Sequence, residues 1–302
     1  MIIIASILAL LFGMAIGSFL NVVVDRASLR EAARGRSWCD FCKKTLSWFE
    51  LLPVVSFVIQ RGKCRSCQQS LSSQYPTVEL FTGIAFALTL DRLFQNRFFG
   101  FFHEALFSPG FSFASSGEVF FFAASILFAF LVVALLVTIL VYDLKHKVIP
   151  DEFSYTFATL ALLKIFFIFF FFPGAESTDA LLLAVLAGPL LALPFALLWL
   201  VSRGKWMGLG DAKLTLGIGW LFELLPGFTA IIFAFWSGAL VGVLLIAFQK
   251  IQKVCGQRAL SPASSSLTMK SELPFAPFLI LGMALVFFFG INLFSGAFQI
   301  FF

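Results

Sequence analysis

Asp143 follows an apolar run from Phe120 to Val141, and Asp211 closes Gly208-Leu209-Gly210-Asp211 just before another apolar run. An ionised carboxylate at the centre of a bilayer costs at least about 2.5 kcal/mol on the most lenient scale, so acids within apolar segments mark function by default. Two carboxylates that meet in a folded bundle do not both ionise comfortably, and one keeps its proton. Such a pair suits aspartyl proteolysis: the ionised acid takes a proton from a water while the protonated one polarises a peptide carbonyl. Gly208 and Gly210 remove two Cβ atoms beside Asp211, which permits positive φ and close approach of an extended peptide. Each motif alone has a plainer reading. Gly-x-Gly-Asp also suits a helix-packing turn with a capping Asp, and Asp143 a hydrated helix end paired with Lys145.

A second constellation is Cys39-Asp40-Phe41-Cys42 and Cys64-Arg65-Ser66-Cys67, with 21 residues between the pairs. Two Cys-x-x-Cys knuckles at this spacing suit tetrahedral Zn2+, each pair taking one edge of the metal. Four thiolates close the coordination sphere, so the site is structural, and a loop of low apolar content needs such a staple. The alternative is redox-active or simply paired thiols. Gly62-Lys63 sets a turn and a cation beside Cys64; on spacing alone it reads as a solvated turn. Cys255 stands alone as an ordinary free thiol.

The elements that must position these groups are apolar. The chain of 302 residues is 60% hydrophobic and 12% charged, far below the charge of a soluble domain. Apolar runs predict about eight transmembrane spans, near 2–24, 77–94, 119–142, 153–172, 180–201, 209–225, 228–249 and 274–300. The Phe-rich stretch 98–113 reads as interfacial or re-entrant. The first run lacks a basic leader and reads as a retained span rather than a cleaved signal.

Basic residues orient the spans. Arg26, Arg30, Arg34, Arg36, Lys43, Lys44, Arg61, Lys63 and Arg65 follow the first run. Lys145, Lys147, Arg203, Lys205, Lys250, Lys253, Arg258 and Lys270 fall in other loops on that side. Arg92 and Arg97 fall opposite. The positive-inside rule makes the first side cytoplasmic, which places both aspartates and the Cys loop there. The net charge of +5 is then an orientation signal and an attraction to anionic lipid, with no nucleic-acid partner required. His103 and His146 fall on opposite sides and cannot share a site. Glu79, at the start of the second span, caps that helix or lines the site.

With these residues in view, the chain resembles the bifunctional prepilin peptidases, or type IV leader peptidases. The likeness begins at Gly17-Ser18-Phe19-Leu20-Asn21-Val22-Val23 with Arg26. It continues through Leu46-Ser47-Trp48, Pro53, Arg61-Gly62-Lys63-Cys64-Arg65 and Tyr75-Pro76-Thr77-Val78-Glu79-Leu80. It returns at Asp143-Leu144, Ile149-Pro150-Asp151, Gly208-Leu209-Gly210-Asp211-Ala212-Lys213-Leu214 and Leu273-Pro274-Phe275-Ala276-Pro277-Phe278.

The resemblance implies cleavage of the basic leader of type IV prepilins and type II secretion pseudopilins on the cytoplasmic side. It also implies N-methylation of the new N-terminal residue, with S-adenosylmethionine as donor. Asp143 and Asp211 match the family's peptidase pair, and Gly62, Lys63 and Glu79 go with methyl transfer. The implied setting is a multi-pass protein of the bacterial inner membrane, linked indirectly to pilus or type II secretion machinery. The chain departs from the family's usual residues at Asp40, at Phe49 to Leu52, and at Gln74, Lys145 and Ala276.

The expected architecture is an all-α polytopic membrane protein with a zinc-ribbon-like insertion after the first helix. Its parts are a first transmembrane helix (1–24), a cytoplasmic four-cysteine loop linked to methyl transfer (25–76) and an aspartyl peptidase core (77–302). Two rivals remain. A presenilin-like protease also pairs Tyr-Asp with Gly-x-Gly-Asp, but the Cys ribbon and Pro274-Phe275 argue against it. A transporter with a zinc-binding loop would use the acids as an ion relay, although no inverted repeat is evident.

Overall fold

A bilayer offers no water to backbone N–H and C=O groups, so long apolar runs satisfy them internally as helices. The computed structural model describes residues 2–26, 37–39, 41–94, 116–171, 178–254 and 274–294. The expectations for 98–113, His103 and Cys255 lie outside these residues. The helices are α1 (Ile2–Arg26), α2 (Val55–Ile59), α3 (Gln74–Phe94), α4 (Ser116–His146), α5 (Asp151–Phe171), α6 (Thr178–Ser202), α7 (Leu209–Phe222), α8 (Leu224–Val254) and α9 (Ala276–Phe289). No strand occurs among the described residues; two isolated bridges lie in the Cys segment.

Among the described residues, five helices are long and apolar enough to cross a membrane: Ile2–Arg26, Phe120–His146, Asp151–Phe171, Thr178–Ser202 and Leu224–Phe248. Large apolar side chains such as Ile3, Leu127, Phe170 and Leu200 are exposed on them, as lipid-facing surfaces require. Helices α7 and α9 have 14 residues each, about 21 Å at 1.5 Å per residue. The run expected over 274–300 stops being helical at Gly290, whose left-handed φ of 64° ends α9. Glu223, at φ 67°, separates α7 from α8.

The chain divides into two compact units, residues 1–142 with 172–175 and residues 143–171 with 176–302. In the first, α1 packs on α3 through small residues. A Cβ on Gly17 would lie 2.8 Å from the Glu79 Cα, so only glycine allows this approach. Leu20, Val24, Val78, Val137 and Val141 bury a common apolar cluster. Polar ties finish the α1–α3 contact: the Asn21 amide donates to the Tyr75 carbonyl at 3.2 Å, and the Tyr75 hydroxyl to Asp25 at 2.8 Å.

In the second unit, α7 is held from two sides. Pro189 lies inside α6 and cannot donate to the carbonyl four residues back, which is Val185. The Trp220 indole of α7 donates to that carbonyl at 2.8 Å. From α5, the Lys164 ammonium donates to the Leu221 carbonyl at 2.9 Å. The last carbonyls of a helix have no partner within it, so this lysine caps α7 where the helix stops short. An isolated lysine in an apolar run is thereby accounted for.

Candidate active site and metal centre

Asp143 lies in the last turn of α4 and is 4% exposed. The N–H of Lys147 donates to the Asp143 carbonyl at 2.7 Å, and Lys147 takes φ 55°, which ends the helix. Ile149 and Pro150 then lead into α5. The Asp143 carboxylate accepts the backbone N–H of Ala276, the first residue of α9. The orphan N–H groups and dipole of that helix end favour a carboxylate. The other oxygen, Oδ2, is buried with no hydrogen-bond partner among the described residues.

Asp211 is the third residue of α7, is 8% exposed, and accepts the N–H of Gly208, the N-cap. This is half of a capping box. The two carboxylates are close enough for the charge of Asp143 to act on Asp211. Each carboxylate thus accepts an N–H at the start of a short helix, Asp143 from α9 and Asp211 from its own α7, and both acids are buried. One oxygen of Asp143 remains free to take or give a proton. That is the equipment for activating a water against a carbonyl.

The two glycines follow the plainer of the two readings, a helix-packing turn with a capping Asp, and not the one that needed positive φ. Gly208 has φ −73°, and Gly210 lies within the helix, so neither uses a left-handed conformation. Gly208 is open: a Cβ there would meet nothing nearer than the Asp211 Oδ2 at 3.9 Å. Gly210 is closed: its Cβ would lie 2.8 Å from the Cβ of Ile149. Its missing side chain makes room for the link that follows Asp143. The glycine therefore draws the two acid-bearing segments together, and only Gly208 leaves open space.

A further contact braces α7 against α5. Lys213, two residues beyond Asp211, pairs with Asp151 at 2.6 Å, and its ammonium lies 4.7 Å from the Tyr155 ring centroid. In the sequence Lys213 falls in the 209–225 run and in the Gly208–Leu214 stretch of family likeness, neither of which names a partner for it. Its partners lie on another helix with no local pattern linking them, and the sole hint was two acids opening α5.

The four cysteines converge in the first unit. Their sulfurs lie within 4.8 Å of one another, with Cys39 and Cys64 buried and Cys42 and Cys67 exposed. Cys39 and Cys67 sulfurs are 3.9 Å apart. Tetrahedral zinc at about 2.3 Å per bond needs edges of roughly 3.8 Å, so the donor set fits that ion.

The two knuckles have the same backbone plan. The Cys39 N–H donates to the Lys44 carbonyl and the Lys43 N–H to the Cys39 carbonyl; the Cys64 N–H donates to Gln69 and the Gln68 N–H to Cys64. Lys43 and Gln68 hold the matching left-handed positions at φ 56° and 59°. Bridges Trp38–Thr45 and Lys63–Ser70 close each turn at the same place. Backbone N–H groups of Cys67 and Ser66 bring the Cys64 thiol down to about 7. Cys67 receives the Gln69 N–H, which acts downward, yet burial and sharing with the other thiols push it up to about 11. Thiols held this close give up protons when a metal binds them as thiolates.

Gly62 and Lys63 form the turn into the second knuckle, with Gly62 at φ 69° and its N–H donating to the Phe57 carbonyl at 2.9 Å. Lys63 is exposed. Glu79 is 8% exposed, and its carboxylate accepts the backbone N–H of Val54 at 2.7 Å. It reaches toward the Cys segment instead of capping its own helix.

Comparison with known proteins finds two family domains in this chain. A family described as "Bacterial Peptidase A24 N-terminal domain" matches residues 11–93, and one described as "Type IV leader peptidase family" matches residues 129–243. A "Prepilin leader peptidase/N-methyltransferase" of Myxococcus xanthus is 30% identical over 78% of this chain, which spans 61% of that relative's length. The protein of the same name from Bacillus subtilis is 28% identical, with 94% of each chain covered. That from Burkholderia pseudomallei is 29% identical over 93% of this chain and 84% of the relative. No solved structure matches the chain. With both family domains present in order, and an acid pair in the second and a four-cysteine cluster in the first, the chain belongs to the type IV leader peptidase family.

Proposed function

We propose that the chain is a prepilin leader peptidase and N-methyltransferase of the bacterial inner membrane. It removes the basic leader of type IV prepilins and type II secretion pseudopilins at the cytoplasmic face and methylates the residue so exposed. The observation that carries the peptidase half is the closeness of Asp143 and Asp211, each carboxylate held by the N–H of a helix N-terminus, with Asp143 Oδ2 unpartnered among the described residues. In this reading Asp143 and Asp211 share one proton. The ionised oxygen takes a proton from water, and the protonated carboxyl polarises the scissile carbonyl. Gly208 gives the substrate backbone room beside Asp211, while Gly210 fixes the loop.

The methyl-transfer half is assigned to the Cys segment, with Gly62, Lys63 and Glu79 as its residues. Cys39, Cys42, Cys64 and Cys67 would hold one structural Zn2+, which closes the ribbon and leaves no position for a reacting water. S-adenosylmethionine supplies the methyl group when bound. The cytoplasmic placement is supported by the excess of Lys and Arg around both motifs. Residues 25–76 would then serve methyl transfer and residues 77–302 the peptidase core. The test is a model prepilin incubated with the chain in membranes, scored by mass for leader loss and for the added methyl. Leader loss that survives replacement of either aspartate overturns the peptidase reading.

A further inference from the structure

Val54 has φ 60° and ψ −47°. A β-branched residue at positive φ is an outlier that needs a cause. The Val55 N–H turns back to the Pro53 carbonyl, which closes a γ-turn of the rare, strained hand. Strain of this kind persists only where surrounding structure imposes it. Here the Glu79 carboxylate, in the second turn of α3, takes the Val54 N–H at 2.7 Å. A charged acceptor makes a hydrogen bond about twice as strong as a neutral one. The Ser18 hydroxyl of α1 faces the same carboxylate, and Gly17 packs on its backbone, so Glu79 has little freedom to follow if the turn relaxes.

What the turn controls lies directly downstream. Val54 is the N-cap of α2, whose five residues end at Ile59. The Gly62 N–H donates to Phe57 within α2, and Lys63 and Cys64 follow at once. About 7.5 Å of helix therefore separates the strained turn from the Gly62-Lys63 turn.

We propose that Glu79 is a positioning residue for methyl transfer: it imposes the turn at Val54 and so sets where α2, Lys63 and the second knuckle stand on the α1–α3 pair. The role in methyl transfer rests on the function proposed above; the clamp itself does not. Glu79 acts through Val54, without touching substrate or donor.

The test uses the full chain in lipid nanodiscs and four variants: Glu79→Ala, Glu79→Gln, Val54→Gly, and Val54→Gly with Glu79→Ala. Hydrogen exchange over 55–61 reads the clamp. Methylation of a pre-cleaved pilin peptide reads the function. Glu79→Ala raises exchange and lowers methylation, each on the order of tenfold, which is the ratio equivalent to about 1.4 kcal/mol. Glu79→Gln, which keeps an acceptor oxygen, loses less. Val54→Gly alone methylates as well as the parent. The double variant recovers most of the loss, because glycine takes positive φ without steric cost.

A double variant no better than Glu79→Ala overturns the proposal, since Glu79 would then act by direct contact. Unchanged exchange in Glu79→Ala overturns it as well. Exchange that follows the prediction with methylation untouched upholds the clamp and overturns the assignment of methyl transfer to this unit.

Discussion

Ile149 fills the space that a side chain on Gly210 would need, its Cβ lying 2.8 Å from where the new Cβ would go. Ile149 follows Asp143 along the chain, and Gly210 precedes Asp211. The contact is therefore the mechanical reason the two acids share a site. Gly210→Ala overpacks it, at a typical cost of about 1–3 kcal/mol, and moves one acid from the other. Gly208→Ala meets no atom nearer than 3.9 Å and loses mainly capping preference, about 1 kcal/mol. Leader-cleavage rates should fall much further for Gly210→Ala than for Gly208→Ala. The reverse order would refute this account of the glycines.

The Asp151–Lys213 pair braces α7 at the same end. Asp151 is largely exposed, so its loss should cost under about 1 kcal/mol of stability. Lys213→Met should nevertheless slow cleavage several-fold, because a shift of α7 moves Asp211. Lys213→Arg should retain most of the rate. High salt should slow the parent only slightly, because the Lys213 side chain is 14% exposed and a partly buried pair is weakly screened.

The sulfur cluster predicts about one zinc per chain by metal analysis of reduced protein. Thiolates would be the ligands, and backbone N–H groups hold the Cys64 thiol below its ordinary value, at about 7. Protons compete with the metal, so affinity should drop as pH falls through about 7 and rise above it. Metal content unchanged by Cys39→Ser with Cys64→Ser would dissolve the site.

Lys63 is exposed on the turn before Cys64. Lys63→Ala should leave zinc content and leader cleavage near parental levels while methylation falls. Equal loss of cleavage and methylation would argue against two separable functions.

The candidate site residues stand out in the sequence because their signals are local. Two Cys-x-x-Cys pairs, an acid after an apolar run, and Gly-x-Gly-Asp each announce themselves within a few residues. The side-chain partners were not, because they come from distant segments. Lys164 finds Leu221, Trp220 finds Val185, and Lys213 finds Asp151, with no pattern joining either pair member to the other. Hydropathy also overran the last span: Phe and Ile continue past Gly290, so composition hid a helix end that a left-handed glycine sets. At the glycines the sequence left two uses open, conformational freedom and close packing, and only the distant partner Ile149 decides for packing at Gly210.

The central claim is that Asp143 and Asp211 act together on one peptide bond. The most direct measurement is leader cleavage of a model prepilin by Asp143→Asn, Asp211→Asn and the double variant in membranes. The account predicts that each single change abolishes cleavage, and that the double change costs no more than either alone, because the pair works as a unit. Full activity in either single variant would contradict it.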